Sequence, residues 1–409
     1  MVAESTIRIE VDALEANLGA VARHMNRDLE ALCAVVKADA YGLGAARLAY
    51  PQPSQGLPRF AAYGLSEAIE VGDAAPGADV IVLMPVRELR RDARTLALLG
   101  SQRLHFTAHQ LGQVEALEAD AVRLGVVLPL HLEFDCGMGR GGCVASDAMD
   151  VLELVAASPR LRLAGVMTHL PDAVDDPISA IERGRDFERM IDAAGTLIPA
   201  DVVRHVAATA SLESGSLHFD QARVGLAWVG HGPQVLAGRP DPMPLRPILS
   251  WWSRIVQVRR LAAGSTVGYG CTFATSRETL TGLVPVGYAD GLPATPGSEP
   301  HRVVVHGKRG PIAVPVLGRM NMDQCVIDLT EVGPIEETIA VEVISADADS
   351  PVSLDRVAAR AGVLPYQLLC GISPRIPRLL VTGGDAVSPQ ARTLVTDLSG
   401  RDSRRLAEG

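Results

Sequence analysis

The chain has 409 residues, 47% of them hydrophobic and 21% charged, with a formal net charge of −10. That composition supports large buried cores and excludes global disorder, and the acidic balance argues against a nucleic-acid or anionic-membrane partner, since both need a basic footprint. No apolar run approaches the ~20 residues of a membrane span, the first residues lack the basic-then-apolar pattern of a secretion signal, and six scattered cysteines without a Cys-x-x-Cys read as reduced cytoplasmic thiols, with a disulfide between Cys136 and Cys143 as the minor alternative.

A short strand is expected at "TIRIEV" and a helix from Asp12. Eight strand-like runs then follow: "LCAVVKA", "RFAAYGL", "DVIVLMP", "RLHFTA", "LPLHLEFD", "LRLAGVMTH", "VVRHVAAT" and "QARVGLA". Helical patterns separate most of them. One begins after His109, and another opens with Ser146 as its expected cap. The link "ASLESGSLHFD" is short and only weakly helical. Apolar strands alternating with helices imply a parallel sheet covered on both faces. Eight units fit an α/β fold of the closed (β/α)8 barrel type over residues 1–240, whose first few residues are free to pack with the following domain. An open doubly wound sheet is the alternative.

Near residue 240 the texture changes. "GRPDPMPLRP" reads as a Pro-rich linker, and short strands with turn signals follow at "SRIVQVRRL", "TLTGLVPVGYAD", "HRVVVHGKRGPIAVPVLG", "QCVIDLT" and "IAVEVIS". We expect a mostly β domain over 241–383 and a flexible polar tail over 384–409.

Active sites of such barrels sit at the C-terminal ends of the strands. Lys37 ends the first barrel run, Glu133 and Asp135 end the fifth, and Arg140 follows in the next loop. His169 ends the sixth, Thr209 follows the seventh, and Arg223 lies within the eighth. On position alone Lys37 also fits a lysine that snorkels from a strand end. The sharper reading is a desolvated amine suited to a carbonyl partner, with the Tyr-Gly-x-Gly that follows letting backbone approach a ligand. "GMGRGG" matches a dinucleotide pattern formally, but the next strand ends in Thr168 and His169 rather than in an acidic residue.

The segments "AVVKADAYGLG", "FDCGMGR", "VMTHL", "ARVGLA", "VGYGCTF", "VGYADGLP", "LGRMNMDQC" and "LPYQLLCGISPRIPR" together resemble the bacterial alanine racemases, in the same order, over roughly residues 6–380. The resemblance implies a barrel that carries pyridoxal 5'-phosphate (PLP), a β domain, and a homodimer with sites shared between chains. It further implies a small amino-acid substrate and no metal. By this resemblance Lys37 carries the cofactor and acts as a base on one face of the substrate. Tyr269, from the partner chain, is the base on the opposite face. His169 lies between that tyrosine and Arg223, and Arg223 faces the pyridine nitrogen. Tyr41, Thr209 and Tyr366, with the backbone N–H groups of Gly225 and Leu226, hold the phosphate. Arg140 contacts the substrate carboxylate and the cofactor; Met322, Asp323 and Tyr288 complete the substrate side from the partner. Trp251 and Trp252 read as packing.

The chain departs from the family pattern at several points. Glu133 stands where many members have a lysine, often carbamylated, and is expected to pair with or orient Arg140. Leu43, Ala208, Trp228, Val229 and Ala294 replace frequent polar or aromatic residues, Arg319 is kept, and the loop "LPDAVDD" differs. These changes bear on the entrance more than on the reacting groups, so racemisation of serine or another small amino acid in a specialised pathway is the alternative to alanine racemisation for peptidoglycan. A non-catalytic PLP-binding protein is the remote alternative, and it has no need of a second base.

Overall fold

The computed structural model describes residues 4–49, 56–233, 243–295, 299–333, 335 and 339–382, with the backbone of Thr393–Leu394. The expected tail therefore lies outside the described residues apart from that pair, as does the linker through residue 242. The described chain divides into two compact units, Glu15–Leu245 and a second made of Met1–Leu14 with Arg246–Gly409.

In the first unit all eight expected barrel strands form: β2 (Leu32–Val35), β3 (Arg59–Ala62), β4 (Asp79–Val82), β5 (Leu104–Ala108), β6 (Leu128–Glu133), β7 (Leu161–Met167), β8 (Val203–His205) and β9 (Ala222–Val224). They pair in parallel in the order β8-β7-β6-β5-β4-β3-β2-β9, and a bridge between Ala208 and Arg223 joins the two ends. The ring is thus closed rather than open. Residues of β2, β5 and β6 are buried throughout, because one face meets the barrel interior and the other meets helices. Those helices include α1 (Val11–His24), α4 (Leu65–Ala74), α5 (Ala93–Gly100), α6 (Leu111–Leu124), α7 (Ala145–Ala157) and α8 (Pro177–Ala194). Gly125 ends α6 in the left-handed region at φ 71°, its N–H returning to Ala121 and Val122. Ser146 does not cap α7. The chain leaves β6 through a Phe134–Cys143 bridge and enters the helix from Val144, two residues before the expected cap, and Ser146 bonds Asp147 instead. The link before β9 forms two short turns, Thr209–Ser211 and Gly215–Leu217.

The second unit is built on a ten-stranded sheet in which β1 (Thr6–Glu10) pairs with β10 (Leu249–Arg254) and with β19 (Arg378–Val381). "SRIVQVRRL" is two strands rather than one, since β10 ends at Arg254 and β11 (Gln257–Leu261) pairs with β14 (Thr279–Val284). β15 (Arg302–Gly307) and β16 (Gly310–Leu317) form a hairpin, flanked by β17 (Cys325–Asp328) and β18 (Ala340–Ile344). A separate hairpin joins β12 (Thr266–Val267) to β13 (Phe273–Ala274). Two helices follow the sheet, α9 (Leu354–Ala361) and α10 (Pro365–Gly371). Trp251 and Trp252 are buried, and the Trp251 indole donates to Ser5 at 2.6 Å. None of the six cysteines is in a disulfide, which removes the Cys136 and Cys143 pairing.

The barrel interior is not purely apolar. His105, His131 and His205 are buried within it. Burial pushes His105 down to about 4, against the pull of Asp79, and holds His131 and His205 well below 6.5. An unfolded chain takes up these protons below about pH 6.5, whereas the folded barrel does not. The unfolded state thus binds more protons, and stability falls as pH drops from about 6.5 towards 4. Urea midpoints measured across that range should decline, and the decline should be shallower in His105→Gln.

Candidate active site

Lys37 follows β2 and begins α2 (Lys37–Gly42), in which four successive residues have φ of 54°, 54°, 50° and 61°. This is one turn of left-handed helix. For L-residues it costs about 1–2 kcal/mol each, so the surroundings must impose it. The Glu67 carboxylate does part of this, accepting from Asp39 N–H at 2.7 Å and from Tyr63 N–H at 2.9 Å. The Asp39 carboxylate accepts from Ala45 N–H at 2.7 Å, and Ala40 N–H returns to the Val36 carbonyl at 2.8 Å. The turn leaves Lys37 exposed and buries Tyr41. Lysine is otherwise almost absent from this chain, the one other being Lys308.

His169 reports which groups share the rim. Its pKa is pushed down to about 3, by burial first and then by the positive charges of Arg223, Arg140 and Lys37. Arg223, Arg140 and Lys37 thus all lie within electrostatic reach of His169, which is neutral among three cations. Arg223 is buried. Its guanidinium donates to the carbonyls of Thr168 at 2.7 Å and of His205, and meets His205 Nδ1 at 3.2 Å. Burial pulls its pKa down from the usual value, yet a guanidinium stays charged.

Beside it the chain leaves β9 through Gly225. Thr209 Oγ1 accepts from Gly225 N–H at 3.3 Å and from Ala227 N–H at 3.2 Å, with Leu226 between them. A Cβ on Gly225 would fall 2.0 Å from Tyr41 Oη. Two hydroxyls and a run of backbone N–H groups therefore converge at a spot that requires glycine. This donor set suits a phosphate.

Glu133 does not pair with Arg140. Its buried carboxylate lies 3.3 Å from His109 Nδ1, and among the described residues no ion pair joins it to Arg140. The reason is local: the chain turns back on itself, with Cys143 N–H bonded to the Glu133 carbonyl and Gly142 N–H to His109 Nδ1. That fold-back delivers a histidine, not the arginine, to the carboxylate. Asp135 serves its own loop, accepting from Gly137 and Gly139 N–H groups at 2.9 and 3.1 Å. Arg183 of α8 locks the same loop by donating to the Cys136 carbonyl at 2.7 Å and pairing with Asp172 at 2.9 Å. The sequence reading missed Arg183, His109 and Glu67; a carboxylate facing bare backbone N–H groups is visible only in three dimensions. A 550 Å³ cleft lined by Phe134, Asp135, Cys136, Val144, Met149 and Met190 opens on this flank; of the strand-end residues expected on the rim it takes in Asp135 alone.

In the second unit, Tyr269 sits at the tip of the β12–β13 hairpin, 69% exposed. Met322 and Tyr288 are 54% and 52% exposed, and their loops are laced together by Tyr288 N–H to the Asn321 carbonyl and Ala289 N–H to the Met322 carbonyl. Gly268 packs on the Arg319 backbone, tying the hairpin to the same cluster. Asp323 is held by Arg375 at 2.8 Å, and Arg375 also binds the buried Asp290 at 2.7 Å. Tyr366 lies on α10, and burial raises its pKa to about 12, so it is a neutral hydroxyl. Among the departures noted above, Leu43, Trp228 and Val229 are buried in the barrel unit. They act in packing there rather than as an exposed rim.

The chain matches the family model for the alanine racemase N-terminal domain over residues 9–233 and the one for the C-terminal domain over residues 248–380. An alanine racemase of Synechocystis sp. is 32% identical over 354 residues, covering 86% of this chain and 92% of that protein. The crystal structure of an alanine racemase from D-cycloserine-producing Streptomyces lavendulae superposes with a TM-score of 0.81 at 27% identity, covering 94% of this chain and 98% of that one. One from Bartonella henselae, described with covalently bound pyridoxal phosphate, gives 0.76 at 22% identity over 93% of this chain and all of the other. With both halves of the chain matched and the barrel and β unit alike accounted for, this protein belongs to the alanine racemase family.

Proposed function

We propose that the chain is a cytoplasmic, PLP-dependent racemase that interconverts L- and D-alanine as a homodimer and supplies D-alanine for peptidoglycan. The observation that carries this reading is the meeting of Lys37, Arg140, Arg223 and His169 on one rim beside the Thr209, Gly225 and Tyr41 cradle. Simple storage of a cofactor needs a lysine and an anion cradle, but not the further array of cations around a neutral histidine. No described helix is long and apolar enough to cross a membrane.

The cradle fits a phosphate. When bound, PLP supplies the electron sink that acidifies the substrate α-hydrogen. Lys37 anchors the cofactor and moves a proton on one face of the substrate. Tyr269 of a second copy moves a proton on the other, and Tyr288, Met322 and Asp323 of that copy border the substrate. Three mostly exposed apolar residues gathered on one patch suit a surface completed by another subunit. Arg223, permanently protonated, keeps the ring nitrogen from gaining a proton. His169, neutral, accepts a hydrogen bond from the phenol without adding charge. Arg140 receives the substrate carboxylate.

Incubation with PLP and single L-amino acids in heavy water tests the reading. Alanine should exchange its α-hydrogen and invert, as seen by proton spectra and chiral analysis; faster inversion of serine would replace the assigned substrate. Gly225→Ala should weaken PLP uptake roughly tenfold or more in an absorbance titration, because the added methyl displaces Tyr41 from the cradle.

A further inference from the structure

Five polar side chains form a continuous line through the barrel interior. Arg223 Nη1 on β9 meets His205 Nδ1 on β8 at 3.2 Å. His205 Nε2 meets His131 Nδ1 on β6 at 2.9 Å. His131 Nε2 meets His105 Nδ1 on β5 at 2.9 Å. His105 Nε2 lies 3.7 Å from the carboxylate of Asp79, the first residue of β4. At every histidine link an Nδ1 faces an Nε2, so the three rings run head to tail.

The barrel is built around this line. His131 and His205 lie on strands separated by β7, and a side chain on β7 would block them. The residue there is Gly165, where a Cβ would come within 2.2 Å of His131 Nδ1. The β6–β7 register shifts at the same place, between Leu130 and His131. The line ends where Asp79, about a third exposed, also faces Arg59 at 3.5 Å. Arg59 and Arg162 are the other charges acting on His105, and Glu133, Arg140 and Cys33 act on Arg223.

Arginine only donates. Its contact therefore makes His205 Nδ1 an acceptor, which leaves the proton on Nε2; the same step repeats at His131 and His105. We propose that this forced order makes Asp79 and His105 positioning residues for Arg223. The three imidazoles carry their dipoles in one direction and relay the carboxylate's charge to a guanidinium that touches no carboxylate among the described residues. The effect on catalysis rests on the racemase reading; the order of the protons does not.

The test uses the full-length, PLP-loaded protein labelled with 15N-histidine. Long-range proton–nitrogen correlations should show His105, His131 and His205 neutral, each with its proton on Nε2. A proton on Nδ1 of His205, or mixed forms, overturns the proposal. Asp79→Asn keeps an acceptor but removes the charge. It should lower kcat roughly threefold to tenfold, the weight of about one hydrogen bond, leave KM for alanine unchanged and shift the absorbance of the bound cofactor. Asp79→Glu should restore all three. An Asp79→Asn protein with wild-type kcat and absorbance overturns the relay, as does a loss that Asp79→Glu fails to restore. If Asp79→Asn does not fold, His105→Phe carries the same readouts. A wild-type protein that takes up no PLP removes the racemase reading, while the proton positions still decide the order of the line.

Discussion

Lys37→Ala should lose racemisation and covalent retention of PLP together. Activity falls by roughly 10³–10⁴-fold, the scale of a combined loss of covalent and proton-transfer catalysis. The sequence makes this test unusually clean, because Lys37 and Lys308 are its only lysines. Lys308 sits in the turn between β15 and β16. Borohydride reduction of the loaded protein followed by peptide mapping should place the label on the Lys37 peptide, and Lys37→Ala should release its PLP on dialysis. A label on Lys308, or an unchanged visible band in Lys37→Ala, would overturn the assignment.

Tyr269→Phe should separate the two faces of the substrate. Inversion drops roughly 10²–10⁴-fold, as for loss of a positioned acid–base group, while exchange of the α-hydrogen at the Lys37 face continues for one enantiomer. Equal loss of exchange for both enantiomers would argue for a structural role. The same pair of variants tests the shared site. In a hybrid of Lys37→Ala and Tyr269→Phe subunits, one of the two sites has both groups intact. Half of randomly paired dimers are hybrids, so mixing two inactive proteins should recover about a quarter of wild-type activity. No recovery after verified subunit exchange would place both groups in one chain.

The barrel was legible because most of its strands are apolar runs and eight of them favour a ring; the open sheet was excluded by the bridge between Ala208 and Arg223. The residues on its rim were legible for the same reason: a strand end is a position that a sequence displays. Much of what supports them was not. The expected partner of Glu133 failed because strand-end position says nothing of how the next loop folds back, and here that loop carries Gly142 to His109. Arg183 and Glu67 act on backbone groups, which no side-chain pattern advertises. The interior histidines left a trace that period-two reading could have caught. His105, His131 and His205 are buried strand positions where polar side chains are rare, and Gly165 interrupts the apolar stretch Leu163–Met167 beside them. The left-handed turn after Lys37 left none, since alanine, aspartate and tyrosine do not announce positive φ.

That turn sets durability against aim. Ala38 and Ala40 occupy conformations in which glycine would relax the backbone by about 1 kcal/mol each, so glycine replacements should toughen the fold. They would also let the peptide planes beneath Lys37 rock, widening the arc its amine sweeps. A laboratory search for heat-resistant variants would be drawn to these alanines first, and would blunt the enzyme there.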